Sequence, residues 1–176
     1  MYLKIYFTIC LFFLLLFPQP EKTVVSKQVF TIEGNTSLGT FKCNYVTTER
    51  DTILWNDTDK IKKSLKYVIP SQKFSCGNFL LNSDFRKTIK AAQYKNIGIE
   101  ISEIRRSSKK IFCNLKLQLA GKEKTYTNLE LEETDNYLEG SLAVNFSDFE
   151  LKAPKKLGGL VKVKEDIHIS IMLNVL

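Results

Sequence analysis

Apolar and polar residues alternate along the C-terminal stretch Leu160–Leu176 with hardly a fault. Val161, Val163, Ile167, Ile169, Ile171, Leu173 and Val175 take odd positions, while Lys162, Lys164, Asp166, His168, Ser170 and Asn174 take even ones. Only Glu165 and Met172 break the pattern. A period of two predicts a strand with one buried face. Its length is two to three times the usual five or six residues, which suits a tilted strand in a closed barrel better than a flat sheet. The odd face therefore predicts the lining of a barrel interior, which side chains fill or which holds one small apolar ligand.

The same period recurs upstream. Phe30 and Ile32, then Phe41, Cys43 and Tyr45, mark two strand segments within 27–46, broken over Gly34 to Gly39 by an expected bulge or corner. Thr52 to Trp55 reads as a short edge piece before the polar turn Asn56 to Lys60, and Leu65, Tyr67 and Ile69 alternate into Pro70. Between Asn82 and Tyr94 the period changes. Leu81, Phe85, Thr88, Ile89 and Ala92 recur every three or four residues behind Ser83 and Asp84, which predicts one helix over about 83–94. Phe85, Ile89 and Ala92 are expected to face the barrel, with Arg86, Lys87 and Lys90 in solvent. Alternation then returns with Ile97, Ile99 and Ile101, and with Ile111, Cys113, Leu115, Leu117 and Leu119. After a turn at Ala120 to Lys122 come Thr125 to Leu131, Leu138 to Phe146 and the terminal strand. Six to eight antiparallel strands and one helix make an all-β chain, a single domain over 27–176.

Residues 1–20 read as a leader outside that domain. Lys4 precedes the apolar run Ile5 to Phe17, too short for a comfortable membrane span, so a secretory signal is expected and a periplasmic or secreted location with it. Pro18, Gln19 and Pro20 replace the usual small-residue cleavage site, leaving cleavage anywhere up to about Ser26. Cys10 follows Ile9 without the small residue that marks a lipid-modified cysteine. Beyond the leader stand Cys43, Cys76 and Cys113, an odd number for an oxidising compartment. Cys113 lies on the apolar side of a strand as a small core residue, which leaves Cys43 and Cys76 as the candidate disulfide.

Catalytic groups are few. The chain holds one histidine, His168, no Gly-rich phosphate loop and no nucleophile elbow, and its cysteines lack metal-ligand spacing, so no enzyme, metal or cofactor is expected. Glu130, Glu132, Glu133 and Asp135 read as a solvated hairpin tip, and Asp84 and Asp148 as backbone caps. The net charge of +7, from 26 Lys and Arg against 19 Asp and Glu, falls mostly on outward strand positions as a solvated basic surface. It also attracts anionic lipid, so transient membrane contact is an expected partner interaction. Nucleic acid is not expected, because exposed aromatics do not interleave with the basic positions.

The inward set offers almost no hydrogen bonding. Tyr67, Ile69, Ile97, Ile99, Ile101, Leu115, Leu117, Leu142, Val144, Phe146, Ile169 and Ile171 share one face, to which Phe41, Tyr45, Leu81 and Phe85 are added as candidate ligand-binding residues. A ligand in such a channel is a hydrocarbon, each buried methylene contributing about 0.8 kcal/mol.

Several segments together resemble the YceI-like family of exported bacterial lipocalin-like barrels. They are Phe41-Lys42-Cys43-Asn44-Tyr45, Val68-Ile69-Pro70 with Phe74-Ser75-Cys76-Gly77-Asn78, Leu81-Asn82-Ser83-Asp84-Phe85, Leu119-Ala120-Gly121-Lys122, Ser147-Asp148-Phe149, and Leu157-Gly158-Gly159-Leu160 leading to Lys164-Glu165-Asp166. The paired cysteines resemble the form common in Bacteroidetes. The resemblance implies an eight-stranded antiparallel barrel without catalytic activity, holding a polyisoprenoid chain such as a polyprenyl lipid or a quinone tail, as monomer or homodimer. Two departures remove polar groups from the expected mouth: Phe79, Leu80 and Leu81 stand where many members carry a histidine before the helix, and Phe146 where many carry an arginine. The rival expectation is a packed barrel without ligand, binding an acidic partner through its basic surface. Interior volume separates the two, several hundred Å³ favouring the carrier.

Overall fold

The computed structural model describes residues 22–55, 63–107, 110–156 and 161–176. The leader, the turn Asn56 to Lys60 and the segment Leu157 to Leu160 lie outside the described residues. The strands are β1 (Lys22–Thr36), β2 (Gly39–Thr47), β3 (Asp51–Leu54), β4 (Leu65–Pro70), β5 (Asn96–Ser107), β6 (Lys110–Leu119), β7 (Lys122–Glu133), β8 (Tyr137–Asn145), β9 (Lys155–Lys156) and β10 (Val161–Val175). One α-helix, α1 (Phe79–Thr88), and two short 3₁₀ turns, Ser71–Lys73 and Phe146–Phe149, complete them.

Eight strands form a curled antiparallel sheet in the order β2-β1-β10-β8-β7-β6-β5-β4, with β3 added beside β1 and β9 beside β10. The long terminal strand that the alternation implies lies beside β1, itself 15 residues long and longer than the segment the pattern marks: Phe30 pairs with Ile171 and Ile32 with Ile169. On the far side of the sheet Ile99 pairs with Leu117, and Ile101 with both Leu115 and Leu65. All of these side chains are buried in one continuous core. Curvature comes from register breaks in β5 between Ser102 and Arg105 and in the β6–β7 ladder between Cys113 and Leu115, since a bulged strand bends and twists more sharply.

The edge strands β2 and β4 share no ladder among the described residues, and the two margins of the sheet are joined by their neighbours. Phe30 of β1 and Tyr67 of β4 stack edge-on at 5.1 Å, Tyr45 of β2 lies 5.9 Å from Phe74 in the segment after β4, and Asn44 of β2 forms an isolated antiparallel bridge with Ser75 of that segment. A Cys43–Cys76 disulfide stands beside that bridge, and Cys113 is free and wholly buried. Desolvation pushes the Cys113 thiol up to about 12.

A second seam lies between β7 and β8, whose ladder is only Glu132 with Glu139 and Glu133 with Leu138. Beyond it the Phe146–Phe149 turn fills the gap with two buried phenylalanines. Ion pairs of 2.6 Å, Lys124 to Asp148 and Lys122 to Glu150, tie the start of β7 to this turn. Asp148 also accepts a hydrogen bond from the Asn145 N–H in a capping box. The Lys124 hydrogen bond, with the Asn145 bond beside it, holds the Asp148 carboxyl below the usual carboxylate range. Its contribution is therefore present above the unfolded pKa and is lost as pH falls through the lowered folded value. Asp148→Asn is expected to narrow the difference in urea midpoint between neutral and acid pH; a variant with the parental pH profile would show that the pair adds nothing to acid sensitivity.

The break over Gly34 to Gly39 holds both a bulge and a corner: the β1–β10 register shifts between Gly34 and Thr36, and a hairpin turn at Ser37 and Leu38 is closed by Thr36, whose hydroxyl donates to the Gly39 carbonyl and accepts the Leu38 N–H. Gly34 lies within β1, where a Cβ would come 2.5 Å from the Phe41 ring opposite it, so glycine lets that ring lie across the strand. The helix begins earlier and ends sooner than the expected 83–94. Asn78 caps it, its side chain accepting the Leu81 N–H at 2.9 Å, and Ser83 and Asp84 fall in its interior. It stops at Thr88, and Lys90 turns left-handed with φ 54°, so Ala91 rather than Ala92 enters the core beside Phe85 and Ile89.

Candidate apolar binding site

One end of the curled sheet holds an apolar cavity of about 110 Å³ beneath α1. Strand ends build its wall: Ile32 and Thr36 from β1, Phe41 from β2, Leu119 from β6, and Val163 and Ile167 from β10. Phe146 and Pro154 close another side. The helix lies over it with Leu81, Asp84, Phe85, Thr88 and Ile89. These helical positions are three and four residues apart, so one face of α1 supplies them all. Asp84 is the one charged side chain in the lining; the Thr88 hydroxyl is turned to the Asp84 carbonyl at 2.8 Å.

Of the expected ligand-binding residues, the structure brings Phe41, Leu81, Phe85 and Phe146 together around this cavity. Ile69, Ile97, Ile99, Ile101, Leu115, Leu117, Val144, Ile169 and Ile171 lie deeper, buried against one another, with Tyr45, Tyr67 and Leu142 partly buried beside them. The Tyr67 hydroxyl is buried without a hydrogen-bond partner, and desolvation, with the nearby Asp51 charge, raises its pKa. Ile32, Leu119, Val163 and Ile167 of the cavity wall stand on inward strand faces by the same alternation but are not among the expected ligand-binding residues. Period two identifies the inward face but not the end of the barrel left hollow.

The anchoring of the lid is local as well as covalent. The Cys76 N–H donates to the Asn82 side chain at 2.6 Å, and the Arg86 guanidinium donates to the Gln72 carbonyl at 3.0 Å. Cys76 is bound to β2 through the disulfide, so the segment leading into α1 is fixed to the wall it covers.

No family model matches the chain, and no curated protein matches it. Solved structures do resemble it. A polyisoprenoid-binding domain from Saccharophagus degradans, implicated in plant cell wall breakdown, superposes with a TM-score of 0.58 at 10% identity over 89% of this chain and 98% of that one. BcnA of Burkholderia cenocepacia gives 0.50 at 15% identity over 84% and 96% of the two chains. A mutant YceI protein of Campylobacter jejuni gives 0.56 at 16% identity over 69% and 77%. At such identities the likeness establishes the fold: this chain has the curled antiparallel sheet of those lipocalin-type, YceI-like barrels.

Proposed function

We propose that the protein is a non-catalytic binding protein that holds an apolar, isoprenoid-type lipid, a polyprenyl chain or a quinone tail, for carriage or sequestration outside the cytoplasm. The observation that carries this reading is the cavity under α1, with its almost wholly hydrocarbon lining. An apolar cavity of that kind stays dry and takes an apolar guest; an engineered one of about 150 Å³ binds benzene. At about 110 Å³ the cavity matches the end of a chain rather than its whole length. The polyisoprenoid-binding domain among the structural neighbours supports the same ligand class, and the leader over 1–20 supports export.

Leu81→Asp tests the reading with little risk to folding, because Leu81 is at the rim and 36% exposed. The protein purified from an exporting host is expected to carry an extractable isoprenoid lipid in native mass spectrometry. The variant, with an unchanged circular dichroism spectrum, is expected to lose it, since an ion in that lining would have to be desolvated. Equal lipid in parent and variant would sink the reading. The deep interior, where apolar side chains are buried against one another, favours a second one, the ligand-free module that meets an acidic partner through its basic surface; parent protein free of any lipid would bring it forward.

A further inference from the structure

Four of the large apolar side chains exposed among the described residues crowd the cavity end of the barrel. Phe79, Leu80 and Leu81 open α1 with exposures of 80%, 73% and 36%. Leu38, 78% exposed, tips the β1–β2 turn two residues from Thr36 of the cavity wall. Packing does not account for Phe79 and Leu80, which take no part in the core. An exposed apolar run such as Phe79, Leu80 and Leu81 marks a place of interaction.

The flank of the patch identifies what it meets. A shallow groove runs from Phe79 along Gln72, Ser83, Arg86, Lys87, Lys90 and Ala92, with three cations and no carboxylate. From Lys73 to Lys95 the chain carries five basic residues and one acidic one, Asp84, which faces the cavity. Across from Lys90 the Glu150 carbonyl accepts from its ammonium, and the Glu150 carboxylate is held by Lys122. A phenylalanine and leucines at a helix start, with lysine and arginine alongside, are the side chains that enter the boundary of a bilayer while cations meet its anionic head groups. An acidic protein surface would satisfy the cations but leave Phe79 and Leu80 in water.

We propose that the start of α1, together with Leu38, is a docking face for an anionic membrane surface, which sets the cavity mouth directly against lipid. The proposal does not require anything in the cavity, so its test is separate from that of the bound chain. The protein, purified after expression of the full-length gene, is mixed with sucrose-loaded vesicles of phosphatidylcholine with or without phosphatidylglycerol and sedimented. Binding is expected only with phosphatidylglycerol and is expected to fall as salt is raised. The double variant Phe79→Ser, Leu80→Ser is expected to bind at least roughly tenfold more weakly, and Lys87→Glu several-fold more weakly. Val68→Ser, altering an equally exposed side chain on the outer face of β4, is expected to bind like the parent. Both altered positions of the double variant are exposed, and an unchanged circular dichroism spectrum shows that any loss is not unfolding. Parental binding by the double variant, or no vesicle binding by the parent, overturns the proposal. So does a parent that is a dimer without vesicle affinity and becomes monomeric in the double variant, which would make the patch a subunit interface.

Discussion

Leu117→Asp is expected to abolish folding. Leu117 is buried opposite Ile99 in a filled part of the interior, with Leu115 and Ile101 one step along the same ladder. Losing the leucine side chain costs about 2–5 kcal/mol. The carboxyl that replaces it is buried, and Lys124, opposite it in β7, is already held by Asp148, so it would be driven towards neutral, at about 1.4 kcal/mol for each pKa unit and for as many as three to five units in a fully buried group. Together these approach or exceed the 5–15 kcal/mol by which domains are stable. The expected result is insoluble protein, or a soluble fraction without a native circular dichroism spectrum, whereas Leu117→Met keeps the volume and should cost under about 1.5 kcal/mol. A cooperatively folding Leu117→Asp protein with the parental urea midpoint would mean that the interior is hollow in solution. For the same reason, charges in this deep wall are poor probes of ligand binding.

Breaking the Cys43–Cys76 bridge is expected to cost about 3–4 kcal/mol, from the loop-entropy relation applied to a sequence separation of 33 residues. At the size of this domain that is a fall of roughly 10 °C in melting temperature. The structural reason for a large effect is the missing ladder between β2 and β4, where the disulfide and the Asn44–Ser75 bridge are the ties across the seam. Scanning calorimetry of Cys43→Ala, Cys76→Ala against the parent checks it, and addition of a reductant to the parent should reproduce the shift. Melting that is indifferent to both would show that aromatic packing across the seam, Phe30 on Tyr67 and Tyr45 near Phe74, suffices.

Alternation made the strands legible because burial on one face is a strong constraint that every second residue must satisfy. That is why β10, β5 and β6 lie where the pattern puts them, and why Ile99, Leu117, Ile169 and Ile171 are buried. The start of the helix was less legible. Phe79, Leu80 and Leu81 look like core residues by composition, and Ser83 and Asp84 look like caps, yet Asn78 takes the cap and Phe79 and Leu80 face outward while Leu81 sits at the cavity rim. Local pattern carries no sign of a surface that is apolar for a reason other than folding. The cavity was illegible in position for a different reason. Its walls come from the ends of β1, β6 and β10 and from a helix distant from all three in the chain, and only the curled sheet brings them together.

The pairing of β1 with β10 also governs the order in which the chain assembles. Phe30 has no partner on that side until Ile171 exists, and the whole wall between β2 and β8 waits for a strand synthesised after every other described strand. The domain is therefore a late folder by construction, with its most non-local ladder among its largest, and topologies of this kind fold in milliseconds to seconds. Were the chain exported as proposed, a segment still being threaded through a narrow channel would meet no completed barrel to jam it, and the hold of β1 on β10 would begin only when the last strand had emerged.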